Sequence, residues 1–250
     1  MQRLRSRIIR RRYMQDTSAV KYRIKFIKDG ALRYISHLDV MRYFQKVFKR
    51  AALPVKYSEG FSPHQLLSFA YPLSLGYTSE GEYLDIVLTK EVNIDDALRT
   101  LNEVSSEGLK ISAIKKLPEK APNCMSSVFA ASYDIMVRQK ISLSDDFVKK
   151  SIDFLSQATI PVNKPKKKGG GFLSMDLKKY IYDFRFVDDR TLYILLNSGS
   201  ETNIRPDFVM DLLCNNCGIE LSDNPYEIHR IDIYENVSSE EGRIELRTLI

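Results

Sequence analysis

Cysteine is scarce in this 250-residue chain, with three in all. That is too few for a disulfide framework and fits a reducing cytoplasm. Long apolar runs are missing too. No stretch approaches the roughly 18 residues of a membrane-spanning helix, and the N-terminus has no apolar signal region, so a soluble protein without a membrane partner is expected. Acidic residues are absent before Asp16, while Arg3, Arg5, Arg7, Arg10, Arg11 and Arg12 crowd the same segment. A block of like charge does not fold by itself. Residues 1–20 are therefore expected to form a disordered basic arm. Its functional readings are an RNA contact or an organelle-type presequence, against a solvated tail ahead of an internal start at Met14.

What is present suits a globular protein. Hydrophobic residues make up 44% of the chain, enough for a real core, and the length fits one large domain or two of roughly 100 residues. The formal net charge is +6 and the pI is about 9.0. That balance favours a polyanionic partner, most simply nucleic acid.

Taken in order, residues 21–28 (KYRIKFIK) alternate apolar and basic residues, the pattern of a strand with one solvated face. Tyr22, Ile24 and Phe26 point one way and Lys21, Arg23 and Lys25 the other. Asp29 and Gly30 make a turn. Ser36 with Asp39 three residues on starts a helix. Along it Leu38, Met41, Phe44, Val47, Phe48 and Ala51 should face the core, with Arg42, Lys46, Lys49 and Arg50 outside. Short strands follow at 55–58 and 66–70, separated by a Gly60-Phe61-Ser62-Pro63-His64 loop. Residues 83–88 make a strand, 93–104 a helix and 109–117 another strand. This β-α-β-β-α-β order predicts a ferredoxin-like sandwich over 21–118, with helices on one face of an antiparallel sheet.

After a linker at 118–127 the order repeats. Strands are expected at 133–140, 159–166, 191–196 and 227–234. Helices are expected at 145–157, with Val148, Ile152 and Leu155 inward, and at 205–215, with an irregular insertion near 175–182. The fold class is therefore α+β, two ferredoxin-like units in tandem, the second over 128–236, followed by a loose tail at 237–250. The segment KPKKKGGG, with Lys166, Lys167 and Lys168, reads as a basic finger or a solvated loop.

Candidate chemistry concentrates in residues 34–85, which hold His37 and His64. Two neutral imidazoles near Ser58, Tyr57 or Asp39 would suit acid–base cleavage of RNA, while plain capping and loop bonding would suit a structural role. A metal site from His37, His64, Glu82 and Asp85 matches no ligand motif. Cys214 and Cys217 have C-x-x-C spacing. A metal would need two further ligands, for which only Cys124 and His229 remain, and Cys214 falls on the apolar period of its helix, so no metal and no cofactor is expected. Basic residues interleaved with aromatics carry a stronger signal. Lys21, Arg23, Lys25, Arg33, Arg42, Lys46, Lys49, Arg50 and Arg205 would track phosphates. Tyr34, Tyr57, Phe61 and Tyr71, with Ser58 and His64 beside them, would hold unpaired bases.

The segments RYISHLDVMR, YSEGFSPH, SFAYPLSLG and EYLD together resemble the radical-SAM-linked protein family, a bacterial domain of unknown function. Asp176, Leu177, Lys178 and Arg205 with Pro206 extend the resemblance more thinly. Members commonly carry Arg where this chain has Lys178 or Lys179, which weakens any bidentate phosphate role there. The resemblance implies a partner radical-SAM protein with a cobalamin-binding-type domain, encoded nearby or fused, and a role in RNA metabolism or modification. It carries no established catalytic activity. The leading expectation is an RNA-binding accessory protein. The alternatives are a metal-independent endoribonuclease using His37 or His64, and an adaptor that touches no nucleic acid. Any site is expected where the Ser36 helix start meets the 60–64 loop.

Overall fold

The computed structural model describes residues 19–138, 144–165, 170–219, 225–240 and 242–250. Its first strand, β1 (Val20–Lys28), pairs antiparallel with β3 (Thr78–Leu88) and β4 (Leu109–Lys116). Between them run α1 (His37–Arg50), the short β2 (Leu67–Phe69) and α2 (Ile94–Glu103). Alternation sends Tyr22, Ile24 and Phe26 toward Val40, Phe44, Val47 and Phe48 of α1, all buried in one cluster. Full burial of such side chains contributes about 1.5–3 kcal/mol each, so this face holds α1 on the sheet. Ser36 caps α1, its hydroxyl accepting from the Asp39 amide at 3.2 Å and donating to the Asp39 carboxylate at 2.7 Å. That carboxylate is held below its ordinary value, first by the Ser36 bond and then by Arg42.

The second half mixes strands and helices as well and includes a separate hairpin. Its elements are α3 (Cys124–Ser127), β5 (Ala130–Val137), α4 (Asp145–Leu155), β6 (Pro161–Pro165), β7 (Phe172–Asp176), β8 (Ile181–Phe186), β9 (Thr191–Asn197), α5 (Pro206–Asn216), β10 (Tyr226–Asn236) and β11 (Leu246–Thr248). Among the described residues, β6 and β7 pair only with each other. Tyr133, Ile135 and Val137 join Phe147, Leu155, Val209 and Leu213 in the second core. Ile152, expected inward, is exposed.

The two halves do not form separate sheets. Apart from the two-stranded β6–β7 sheet, the described strands make one mixed, mostly antiparallel sheet in the order β4-β1-β3-β10-β5-β9-β8, with β2 on β3 and β11 on β10. The join is a short parallel contact, His229 opposite Thr78 and Arg230 opposite Ser79. Since β1 holds one edge of β3, β2 and β10 share the other at its two ends. Gly81 permits that approach: a Cβ there would lie 2.5 Å from both the Asp232 Cα and the Ile231 carbonyl oxygen. The tail expected to be loose is partly docked, because β11 pairs with β10 and Leu249 is buried. Cys124, in the expected linker, is buried too. Residues 1–18 and Lys166, Lys167 and Lys168 lie outside the described residues.

Candidate functional site

The structure does not bring His37 and His64 together. His37, at the start of α1, is half-buried with its ring edge-on to Phe69 at 5.1 Å. It shares a cavity of about 10 Å³ with Lys28, Phe69, Tyr71 and Glu82. That space admits about one water and no substrate. Burial, and then the Lys28 ammonium, push the His37 pKa down. His64 is exposed and lies further along α1, since the next residue, Gln65, donates to the Gln45 carbonyl at 3.2 Å. Eight helical residues from His37 to Gln45 span about 12 Å. The expected meeting of the helix start with the 60–64 loop does not occur, and no shared acid–base pair is formed.

The 58–64 loop is instead a finger with a fixed neck. Tyr57 pairs with Gln65, and the Ser58 amide donates to the His64 carbonyl at 2.8 Å. The Ser58 hydroxyl accepts from the His64 amide at 3.1 Å and lies 2.8 Å from His64 Nδ1. Gln65 also donates to the Tyr57 hydroxyl at 3.3 Å, tying the neck to α1. Gly60, at φ 110°, supplies the turn that other residues rarely adopt. The tip carries Phe61 with a relative exposure of 109%, and Tyr57 and His64 are exposed beside it. Packing explains none of the Phe61 side chain. An aromatic ring held fully in water on a loop of defined shape has the character of a contact residue.

The basic residues divide sharply. Arg42, Lys46, Lys49 and Arg50 are exposed on α1, as the helical period requires, with Arg42 beside Asp39 and Arg50 donating to the Val104 carbonyl at 2.9 Å. Leu38, expected in the core, stands exposed on the same helix. Arg23 is the main correction. It is 4% exposed and bonds both oxygens of Asp85, at 2.7 and 3.0 Å. It also donates to the Leu249 and Pro122 carbonyls, so it has no free edge for a phosphate. Lys25 is drawn to Asp232 at 2.6 Å, and Lys21 donates to the Ala121 carbonyl at 3.2 Å. The face of β1 expected to be solvated is thus covered by the 121–124 segment and the chain's last residues. Arg33 pairs with Glu227 at 2.6 Å, and the exposed Arg205 pairs with Asp207.

Where the halves meet, Arg230 and Glu82 are both buried and bonded at 2.9 Å, with Arg230 also donating to the Tyr71 carbonyl at 3.1 Å. Its guanidinium lies 5.6 Å from the Tyr133 ring and 6.0 Å from that of Tyr71. Tyr71 is therefore part of this lock rather than a free stacking surface. Burial lowers the Lys28 pKa, and its ammonium donates to the Ile35 carbonyl at 3.1 Å. Sequence reasoning missed this centre, since Arg230 gives no local signal of its partner 148 residues away.

Cys124 donates to the Ser68 carbonyl at 2.9 Å, and burial pushes its thiol pKa up to about 12. Burial raises that of Cys214 also. Among the described residues no three or more His, Cys, Asp or Glu side chains gather as a metal site, and no helix is long and apolar enough to cross a membrane.

Residues 21–206 match the family described as an uncharacterized protein conserved in bacteria, DUF2344, and the chain belongs to it. No protein with a curated description matches. Among solved structures, a chain in "Crystal Structure of a Cbf5-Nop10-Gar1 Complex" is similar over 85% of this chain and 48% of that one, at 11% identity and a TM-score of 0.42. The chain thus spans about half the length of that neighbour.

Proposed function

We propose that this protein binds single-stranded RNA along the outer face of α1 and the 58–64 finger, as an accessory to a radical-SAM enzyme rather than as a catalyst. The observation that carries the reading is Phe61, wholly exposed on a loop whose neck is pinned by its own hydrogen bonds and by Gln65 to α1. Beside it α1 presents Arg42, Lys46 and Lys49 to water. Cations that follow a backbone next to a ring that can stack a base form the usual apparatus for unpaired nucleic acid. Tyr57 and His64 extend the stacking surface. The radical-SAM partner rests on the sequence resemblance alone. The strand orders β4-β1-β3-β2 and β10-β5-β9-β8 support reading each half as a ferredoxin-like unit.

The test is fluorescence anisotropy with a labelled octauridylate at 50 and 200 mM salt. Binding that weakens steeply with salt, and that Phe61→Ala reduces, is the expected result. Absent or salt-insensitive binding overturns the reading.

A further inference from the structure

A second cavity, about 220 Å³, opens where the two halves adjoin. Tyr34, Leu75, Tyr77, Tyr226, Asp207 and Asp211 line it, with Arg138. It is smaller than the 300 Å³ or more typical of drug-sized ligands, and suits one planar ring system. Its mouth is apolar, with Tyr34 65% and Leu75 64% exposed. The Gly76 amide holds the Leu75 side against the Arg33 carbonyl at 2.9 Å, so the two segments that supply this rim are fixed to each other.

The polar floor comes from α5. Asp207 and Asp211 are four residues apart and therefore share one face of the helix. The Tyr226 hydroxyl donates to Asp211 Oδ1 at 2.9 Å, which leaves Oδ2 free to accept from a ligand. Arg205 donates to both oxygens of Asp207, so Asp211 is the floor carboxylate with an oxygen open to a ligand. Arg138 lines the cavity, and Arg33, bonded to Glu227, adjoins the rim. Cations thus adjoin an aromatic slot with the Asp211 carboxylate as its open acceptor.

We propose that this cleft receives a single unstacked guanine of the bound RNA. This deepens the RNA-binding reading and rests on it. Guanine is the common base whose pairing edge sets two donors, N1–H and N2–H, side by side for carboxylate acceptors. Adenine, cytosine and uracil each offer that edge a single donor group. Tyr34 and Leu75 would cover the ring faces, and Arg138 or Arg205 would take the adjoining phosphate. A partner's arginine side chain could also use Asp211, but it would meet the like charge of Arg138, whereas Arg33 and Arg205 are already paired. Tyr34 and the exposed Leu38 follow one another into α1, so the cleft continues the surface along which the strand is proposed to lie.

The test compares labelled octauridylate with the same oligomer carrying one central G, A or C. The G-containing oligomer should bind about tenfold more tightly than the others, within the range of one good bidentate base contact. Asp211→Asn keeps an acceptor for Tyr226, should erase the preference and should leave octauridylate binding unchanged. Equal affinity for all four oligomers, with RNA binding intact, overturns the guanine site and leaves the RNA reading standing. Loss of octauridylate binding by wild-type protein overturns the RNA reading. GMP titrated in that case tests the cleft separately: tight binding assigns it to a free guanine nucleotide, and none removes it. Preference for N-acetylarginine amide over GMP overturns the proposal.

Discussion

Two sets of cations, alike in sequence, end in opposite surroundings. Arg23, Lys28 and Arg230 are buried around the joint of β1, β3 and β10, whereas Arg42, Lys46 and Lys49 stand in water on α1. The inner set meets acceptors that belong to the fold: Asp85, Glu82 and backbone carbonyls. The outer set has few internal partners. Charges of the first kind hold the structure in register, and those of the second remain free to meet something else. A basic residue on a strand is thus a poorer guide to binding than one on a helix whose inner face is already full.

The inner set should give the largest effects when broken. Arg230→Ala leaves Glu82 buried without its partner and should cost about 3–5 kcal/mol, read by urea unfolding. Replacing both Arg230 and Glu82 by Met should cost less than the single change. A single change within about 0.5 kcal/mol of wild type would show that the joint does not depend on this pair. The outer set should show the reverse pattern. Phe61→Ala should leave the melting temperature unchanged and weaken binding to octauridylate by about 1–3 kcal/mol. Lys46→Ala with Lys49→Ala should lower the salt slope of binding by about 1.4, two phosphate contacts at about 0.7 each. An unchanged slope would place the RNA elsewhere.

The smallest effect belongs to His37, which lies between the two sets. Its folded pKa is depressed below 6.5. As pH falls through 6.5 the unfolded state takes up a proton before the folded state does, so stability drops over that window. His37→Gln should flatten the urea midpoint between pH 7 and pH 5, and equal slopes in both proteins would show that His37 does not titrate this way.

The same division explains what could be read from the sequence. The period and cap of α1 are local, so Ser36, Phe44, Val47 and the outward lysines were legible. The alternation of β1 was legible too, but not the fate of its polar face. Arg23 meets Asp85 only through strand register, 62 residues apart, under a cover supplied by Pro122 and Leu249. The Gly-Phe-Ser-Pro-His loop announced a turn, yet whether Phe61 folds inward or stands out depends on a neck formed by Ser58, His64 and Gln65. β11 escaped notice because three residues are too few to carry a period.

The parallel contact between β3 and β10 has a consequence for the order of assembly. On the ribosome, β1, β3 and their link through Arg23 and Asp85 emerge early, and Glu82 emerges with them. Arg230 follows 148 residues later. Until then the nascent N-terminal half carries the Glu82 carboxylate without its arginine beside an open strand edge, a state that favours waiting over closure. The last long strand to be made is the one that completes the centre of the sheet, so a chain interrupted before β10 should keep its first half visibly unfinished to the cell's quality control.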